Sequence, residues 1–332
     1  MKHDAPSRLG RTDISVTALG FGATAIGGMY SPVPEEQAIA TVDAAWNHGI
    51  RFYDAAPQYG RGKGELRLGQ ALASRPRDSY VLSSKVGRLL RPVDPEGNSN
   101  SLDEPELATV YDYSRDGVLR SIEESLERLG TDHLDIVHVH DPDDYLDEAL
   151  ATAFPTLIEL RDQGVVKAIG AGMNQTRALE IIARESDPDA LLVAGRYTLL
   201  EQTALDSLLP LCEERGIAVI AGGVFNSGLL ANPHVDARYD YNRAPESIVS
   251  RALELAAVCE RHGVPLKAAA LQFPKAHPSV AAVLTGSRSP EEMTENIELF
   301  DLVIPSDLWA ELKDAGLLRQ TAPVPATGQA NP

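Results

Sequence analysis

Eight times along the chain, a short apolar run that ends in small or polar residues gives way to a longer stretch with apolar residues at helical spacing. The strand-like runs are "VTALGFG", "RFYDAA", "SYVLSSKV", "LDIVHVHD", "VVKAIGAG", "LLVAG", "IAVIAGG" and "AAVLTGS". Between and after them lie "PEEQAIATVDAAWNHG", "GELRLGQALAS", "RDGVLRSIEESLERLG", "LDEALATAFPTLIELRDQG", "QTRALEIIARES", "ALDSLLPLCEERG", "PESIVSRALELAAVCERHG" and "SPEEMTENIELF". Several of these helices close on Gly after a charged last turn, as a C-cap does. Strands alternating with helices form a parallel sheet, and runs apolar on both faces require that sheet to be covered all round. A closed (β/α)8 TIM barrel uses all eight units, whereas a doubly wound sheet leaves two or three for a second domain. No Pro/Gly/Ser linker divides the 332 residues, so the expectation is one barrel domain over residues 1–332. An N-terminal β-hairpin, "LGRTDISVTALGFG", precedes it, and a tail from about residue 318, ending "TAPVPATGQANP", is expected to be disordered.

Two segments, residues 88–115 after the third strand and 226–244 after the seventh, are too long for simple connections. Both fall at the C-terminal ends of strands, where a barrel keeps its active site, and they are expected to wall a substrate pocket.

The stretch "RFYDAAPQYGRGKGELRLGQAL", residues 51–72, combines an acid at a strand end, a tyrosine and a glycine-and-cation loop. A phosphate loop needs Lys followed by Ser or Thr at the helix start, but Lys63 is followed by Gly64 and Glu65, whose carboxylate would repel a phosphate. The dinucleotide fingerprint G-x-G-x-x-G is also missing after the first strand, where "GFGATAIGG" stands. A proton-transfer reading fits better. Asp54, Lys85 and His140 end three successive strands, and Tyr59 hangs over them from a loop. A phenol titrating near 10 is a poor acid or base at neutral pH, but an adjacent ammonium favours the phenolate, so Lys85 is expected to lower the Tyr59 pKa. Asp54 would fix Lys85, and His140 would orient a substrate oxygen. Singly, each residue has a structural explanation as cap, solvated cation, packed ring or turn partner; four at neighbouring strand tops do not. His138 is assigned to the barrel interior and His133 to the surface.

Composition narrows the partners. With 48 Asp and Glu against 30 Lys and Arg, the net charge of −18 disfavours nucleic acid and anionic membranes. The two cysteines, Cys212 and Cys259, lack metal-ligand spacing and read as buried free thiols, so no metal site is expected. No apolar signal region opens the chain and no window is long enough to span a bilayer, which points to a cytoplasmic protein. A small-molecule partner remains; monomer and homo-oligomer stay open.

The motifs "RFYDAAPQYG", "LSSKVG", "LDIVHVHDPD" and "KAIGAGMN" resemble the aldo-keto reductase superfamily from "LGFGAT" to "SPEEMTENI". The resemblance implies a catalytic tetrad of Asp54, Tyr59, Lys85 and His140, with Tyr59 as proton donor or acceptor. It also implies an NAD(P) cofactor held without a Rossmann unit. Carried over by position, Gly22, Ala23, Thr24 and Asp54 contact the cofactor and Asn174 binds its nicotinamide carboxamide. The backbone of Phe225, Asn226, Ser227, Gly228, Leu229 and Leu230 wraps the pyrophosphate, and Gly286, Ser287, Arg288, Glu292 and Asn296 hold the adenosine end. The chain departs from the common pattern at Ala194, where many relatives carry a Gln, at Gly222, where many carry a stacking Tyr, and at Glu292, where an Arg commonly clamps the NADP phosphate. These departures resemble the branch of L-fucose (D-threo-aldose) dehydrogenases and pyridoxal 4-dehydrogenase. That branch implies oxidation of an aldose to a lactone with NAD, NADP being possible. A pyridoxal 4-dehydrogenase or broad carbonyl reductase and, from another class, a cofactor-sensing regulatory subunit are the alternatives.

Overall fold

The eight strand-like runs close on themselves in chain order in the computed structural model, which describes residues 1–29, 31–93, 107–240 and 242–326. The strands are β1 Leu19–Gly22, β2 Phe52–Asp54, β3 Val81–Val86, β4 Ile136–His140, β5 Ala168–Met173, β6 Ala190–Ala194, β7 Ala218–Gly222 and β8 Val280–Thr285. All pairs are parallel, and the ring is sealed where Leu19 of β1 meets Val283 of β8. Around it run α1 Glu35–Asn47, α2 Lys63–Leu72, α3 Arg115–Leu129, α4 Phe154–Asp162, α5 Thr176–Glu185, α6 Leu208–Arg215, α7 Glu246–Arg261, α8 Leu266–Gln272, α9 Pro290–Asp301 and α10 Ser306–Asp314. None of the described helices is long and apolar enough to cross a membrane.

Apolar residues on both strand faces explain the closure. Outward-facing Leu19, Tyr53, Leu82, Val137 and Ile169 pack under the helices, while Phe52, Ile136, Leu192, Ile220 and Leu284 form a separate interior cluster. Full burial of each such side chain stabilises by about 1.5–3 kcal/mol. The interior is crowded at one strand pair: a Cβ at Gly170 would sit 1.7 Å from the Ala190 carbonyl oxygen and 3.1 Å from His138 Nδ1. Only glycine fits there, and His138 lies fully buried within the barrel, as its alternation in β4 requires.

The expected hairpin pairs Pro6–Arg8 with Ser15–Thr17, and its Leu9, Ile14 and Val16 join the interior cluster as a floor. The run "VTALGFG" is therefore split between floor and wall, with Thr17 Oγ1 donating to the Leu19 carbonyl (2.8 Å) where the chain turns upward. Both long loops contain short antiparallel ladders instead of being wholly irregular, Arg88–Pro92 with Leu107–Tyr111 and Arg238–Tyr239 with Asn242–Arg243. Residues 94–106 and Tyr241 lie outside the described residues.

The fourth helical run is interrupted by a π turn, Ala149–Ala153, because Pro155 lacks an N–H and its ring crowds the preceding turn. Two helices escaped the sequence reading. In α8, "LKAAALQ", most residues are buried on every side and show no amphipathic period, and α10 lies beyond the last barrel unit. The tail also starts later than expected: Leu318 and Ala322 are buried, and the Arg319 amide donates to Gln202 Oε1 (3.1 Å), because α10 returns the chain to the core. Residues 327–332 lie outside the described residues.

At the start of α2, Glu65 turns away from solvent instead of facing a ligand. It is fully buried, accepts from Ser84 Oγ (2.6 Å) and from Arg128 Nε (2.6 Å), and so ties α2 to β3 and α3.

Candidate active site

Asp54, Lys85 and His140 stand at or one residue from the C-terminal ends of β2, β3 and β4. Lys85 Nζ donates to Asp54 Oδ2 (2.7 Å), to Asp54 Oδ1 (2.8 Å) and to the Ala55 carbonyl (2.9 Å), and Ser83 Oγ donates to Asp54 Oδ1 (2.7 Å). The two charged side chains are 1% and 3% exposed. Burial works to lower the Lys85 pKa, but the Asp54 carboxylate, aided by Tyr59, outweighs it, and the ammonium is held charged. Ser83 was not foreseen, though its two-residue spacing from Lys85 on β3 puts both on the inner face.

Tyr59 sits above this pair, with its ring centroid 4.9 Å from Lys85 Nζ and 6.0 Å from the His140 ring in an edge-on arrangement. Lys85 and Thr24 both favour the ionised form of its hydroxyl. Here the electrostatic expectation needs correcting. Burial raises the phenol pKa and is the largest effect; Lys85 lowers it as expected and Asp54 raises it, leaving the phenol above its ordinary value. The ammonium therefore moderates a raised pKa instead of producing a depressed one.

His140 is held well below the usual imidazole range by burial first and then by the cations Lys85 and Arg88, with His138 adding to the effect. His138 is pushed down to about 3 by burial and by Lys85. Both rings are thus neutral near pH 7. A neutral His140 has one N–H to donate and cannot compete with Lys85 as a charge.

Beside this group the strand ends are bare: Gly22, Gly172, Ala194 and Gly222 offer nothing larger than a methyl. A Cβ at Gly222 would meet Leu192 Cδ2 at 3.1 Å, and one at Gly172 would lie 3.4 Å from Lys85 Cε. These small residues expose backbone at several strand tops of the barrel. At this end of the barrel lies a cavity of about 590 Å³, lined by residues that include Arg88, Asp141, Asn174, Arg196 and Asp240, so both long loops contribute to its wall. Arg196 grips Asp240 through two bonds, 2.6 and 3.2 Å, tying the loop after β7 to the loop after β6. A larger cleft of about 770 Å³ lies at the opposite, floor end, but Lys167, Arg161 and Arg11 there are already paired with Asp135, Asp189 and Asp187.

The remaining sequence-derived residues divide. Ala23 is buried with its amide on the Asp54 carbonyl (2.8 Å), and Asn174 follows β5 at the cavity wall. After β7, Asn226, Ser227 and Gly228 adopt left-handed backbone (φ 45, 59 and 92). The amides of Asn226, Gly228, Leu229 and Leu230 are spent on carbonyls within this loop. Asn226 also turns its side chain inward, accepting from Thr198 Oγ1 (2.7 Å) and donating to the Gly195 carbonyl (3.2 Å), and Leu229 is fully buried. Exposed Ser227 and Gly228 and half-buried Phe225 are what this loop presents outward.

At the end of β8, Ser287 and Asn296 are buried and joined by a 3.1 Å bond. Gly286 is exposed, and beside it Arg288 and Glu292 hold each other: the Arg288 amide (2.8 Å) and guanidinium both donate to the carboxylate. Burial works against that carboxylate and the Arg288 contacts outweigh it, holding Glu292 below the usual carboxylate range.

The sequence profile of the Aldo/keto reductase family matches residues 18–316. A D-threo-aldose 1-dehydrogenase from a Pseudomonas species is 45% identical over 92% of this chain and 95% of its own length. A pyridoxal 4-dehydrogenase from Microbacterium luteolum is 39% identical over 96% of this chain and 99% of its own. Among solved structures, the holo form of a Bacillus halodurans aldo-keto reductase superposes over 99% of both chains with a TM-score of 0.73 at 23% identity, a likeness of fold.

Proposed function

The chain belongs to the aldo/keto reductase family, and from that premise we propose that it is an NAD(P)-dependent dehydrogenase oxidising the anomeric hydroxyl of an aldose such as L-fucose to a lactone. The observation that carries the reading is the half-buried Tyr59, whose ring stands beside the Lys85–Asp54 pair and a neutral His140. The bare wall of Gly22, Gly172, Ala194 and Gly222 fits a nicotinamide ring lying on backbone, with Asn174 in reach of its carboxamide. In this reading the exposed Ser227 and Gly228 face the diphosphate, and Gly286, Arg288 and Glu292 the adenosine. When bound, the nicotinamide supplies the hydride acceptor at C4.

The chain's own groups handle the proton and the orientation. His140 donates its N–H to the substrate's reacting oxygen and sets its position. Tyr59 takes the hydroxyl proton as phenolate, or returns it as phenol in the reverse direction. Lys85 stabilises the phenolate at short range in a water-poor site, and Asp54 with Ser83 keeps the ammonium in place. Because burial raises the phenol pKa, oxidation needs alkaline conditions for the base to form, and reduction is served by the protonated phenol at neutral pH. The substrate follows from similarity to the D-threo-aldose enzyme, and pyridoxal is the second reading because the other relative, at 39% identity, acts on it. Aldoses and vitamin B6 compounds are assayed with NAD and with NADP, following reduced nicotinamide absorbance. Turnover of L-fucose with a lactone product supports the reading; cofactor binding without turnover of any substrate in the panel would replace it with a regulatory role.

A further inference from the structure

One carboxylate at the catalytic end has no part in that scheme. Asp141 follows His140 directly and is held in left-handed backbone at φ 39, a conformation that L residues adopt only when their surroundings impose it. The constraint is visible. Tyr113 donates its hydroxyl to the carbonyls of both His140 (2.8 Å) and Asp141 (3.1 Å), and the Asp141 amide donates to the Gly172 carbonyl (3.0 Å). The Tyr113 ring can lie there because Gly87 leaves space; a Cβ at Gly87 would fall 2.2 Å from the ring.

This backbone sets Asp141 Oδ2 2.9 Å from Arg88 Nη2 and 3.6 Å from His140 Nε2, on the wall of the 590 Å³ cavity. At 3.6 Å the carboxylate does not consume the imidazole N–H as a hydrogen bond does. It stands next to the place where the reacting oxygen is held, at the separation that two oxygens on neighbouring carbons of a polyol can bridge. Burial raises the Asp141 pKa above the ordinary carboxylate value; the Arg88 guanidinium at 2.9 Å works against that rise and favours the accepting carboxylate. We propose that Asp141, steadied by Arg88, accepts a hydrogen bond from the substrate hydroxyl on the carbon next to the reacting one. The site thereby selects α-hydroxylated substrates over their deoxy analogues. This deepens the aldose reading and rests on the same pocket.

The test compares kcat/KM for L-fucose against its 2-deoxy analogue in oxidation, and for glycolaldehyde against acetaldehyde in reduction. A hydrogen bond to a charged, partly exposed group gives an expected preference of about 10- to 100-fold for the hydroxylated member of each pair. Asp141→Gly removes the carboxylate and suits φ 39 without strain, so it keeps the fold while the preference collapses toward unity. Asp141→Asn retains an acceptor and should keep part of it. An unchanged preference in Asp141→Gly, or none in the wild type, overturns the proposal. Failure to oxidise any aldose overturns the functional reading instead, while the aldehyde pair still decides the role of Asp141.

Discussion

The Glu65–Arg128 pair offers a test in which the two partners should behave unequally. Glu65 is fully buried, whereas the Arg128 side chain is 22% exposed and retains Ser125 Oγ at 3.4 Å and Glu124 at 3.9 Å if Glu65 is lost. Glu65→Gln therefore leaves a cation that can still find solvent and partners, and should cost about 1–2 kcal/mol. Arg128→Met leaves a carboxylate sealed in the protein with Ser84 as its remaining described donor, and should cost about 3–5 kcal/mol, the range for an uncompensated buried charge. With an unfolding entropy near 2.1 cal/mol/K per residue, about 0.7 kcal/mol/K for this chain, those costs correspond to Tm losses of about 2 °C and about 4–7 °C. Calorimetry of both single variants and of Glu65→Leu/Arg128→Met at pH 7 reads these losses. Equal losses in the two single variants would show that the pair is not the buried charge clamp described.

Tyr59→Phe should lower kcat by about 100- to 10,000-fold while leaving cofactor affinity intact, measured by steady-state kinetics and fluorescence titration; near-normal turnover removes the phenol from the chemistry. The oxidation rate should climb through the alkaline range as the raised phenol ionises and the reduction rate should fall there, so parallel profiles on one substrate pair contradict a single shared phenol. Lys85→Met/Asp54→Asn, which removes the pair without stranding either charge, should move the alkaline limb to higher pH, and an unmoved limb breaks the Lys85–Tyr59 coupling. Wild type should favour NAD, since Arg288 is already committed to Glu292. Glu292→Gln should free that guanidinium and improve kcat/KM with NADP by roughly 5- to 10-fold, from a change of about 1 kcal/mol per charge pair; an unchanged or reduced NADP efficiency refutes it.

The barrel could be read from the sequence because each strand buries both faces and so appears as an unbroken apolar run. The polar ends of those runs then marked Asp54, Lys85 and His140 by position alone. What escaped depends on three-dimensional surroundings. The net rise in the Tyr59 pKa reflects burial, which no neighbour in sequence reports. The inward turn of Asn226 follows from three successive left-handed residues, and the mutual capture of Arg288 and Glu292 follows from the start of α9, where Glu292 in the first turn reaches back to the residue before the Ser289 cap. Asp141 was visible in "HDPD", but its approach to Arg88 required the backbone twist imposed by Tyr113. α8 was hidden by its completeness of burial, which erases the period that identifies surface helices.

The seam between β1 and β8 also governs how this molecule can be made. During synthesis the first wall strand leaves the ribosome early, yet its partner edge, centred on Val283, arrives only when nearly the whole chain has been translated. Until then the nascent sheet has two open edges, β1 and the latest strand, each with unpaired backbone groups that invite pairing with another chain. Contacts of such long sequence separation slow folding, so closure is the late event and the interval before it is the vulnerable one. A chain interrupted before Val280 has no way to shorten the ring by one strand. It remains an open, sticky sheet, a substrate for chaperones and proteases and not a smaller enzyme.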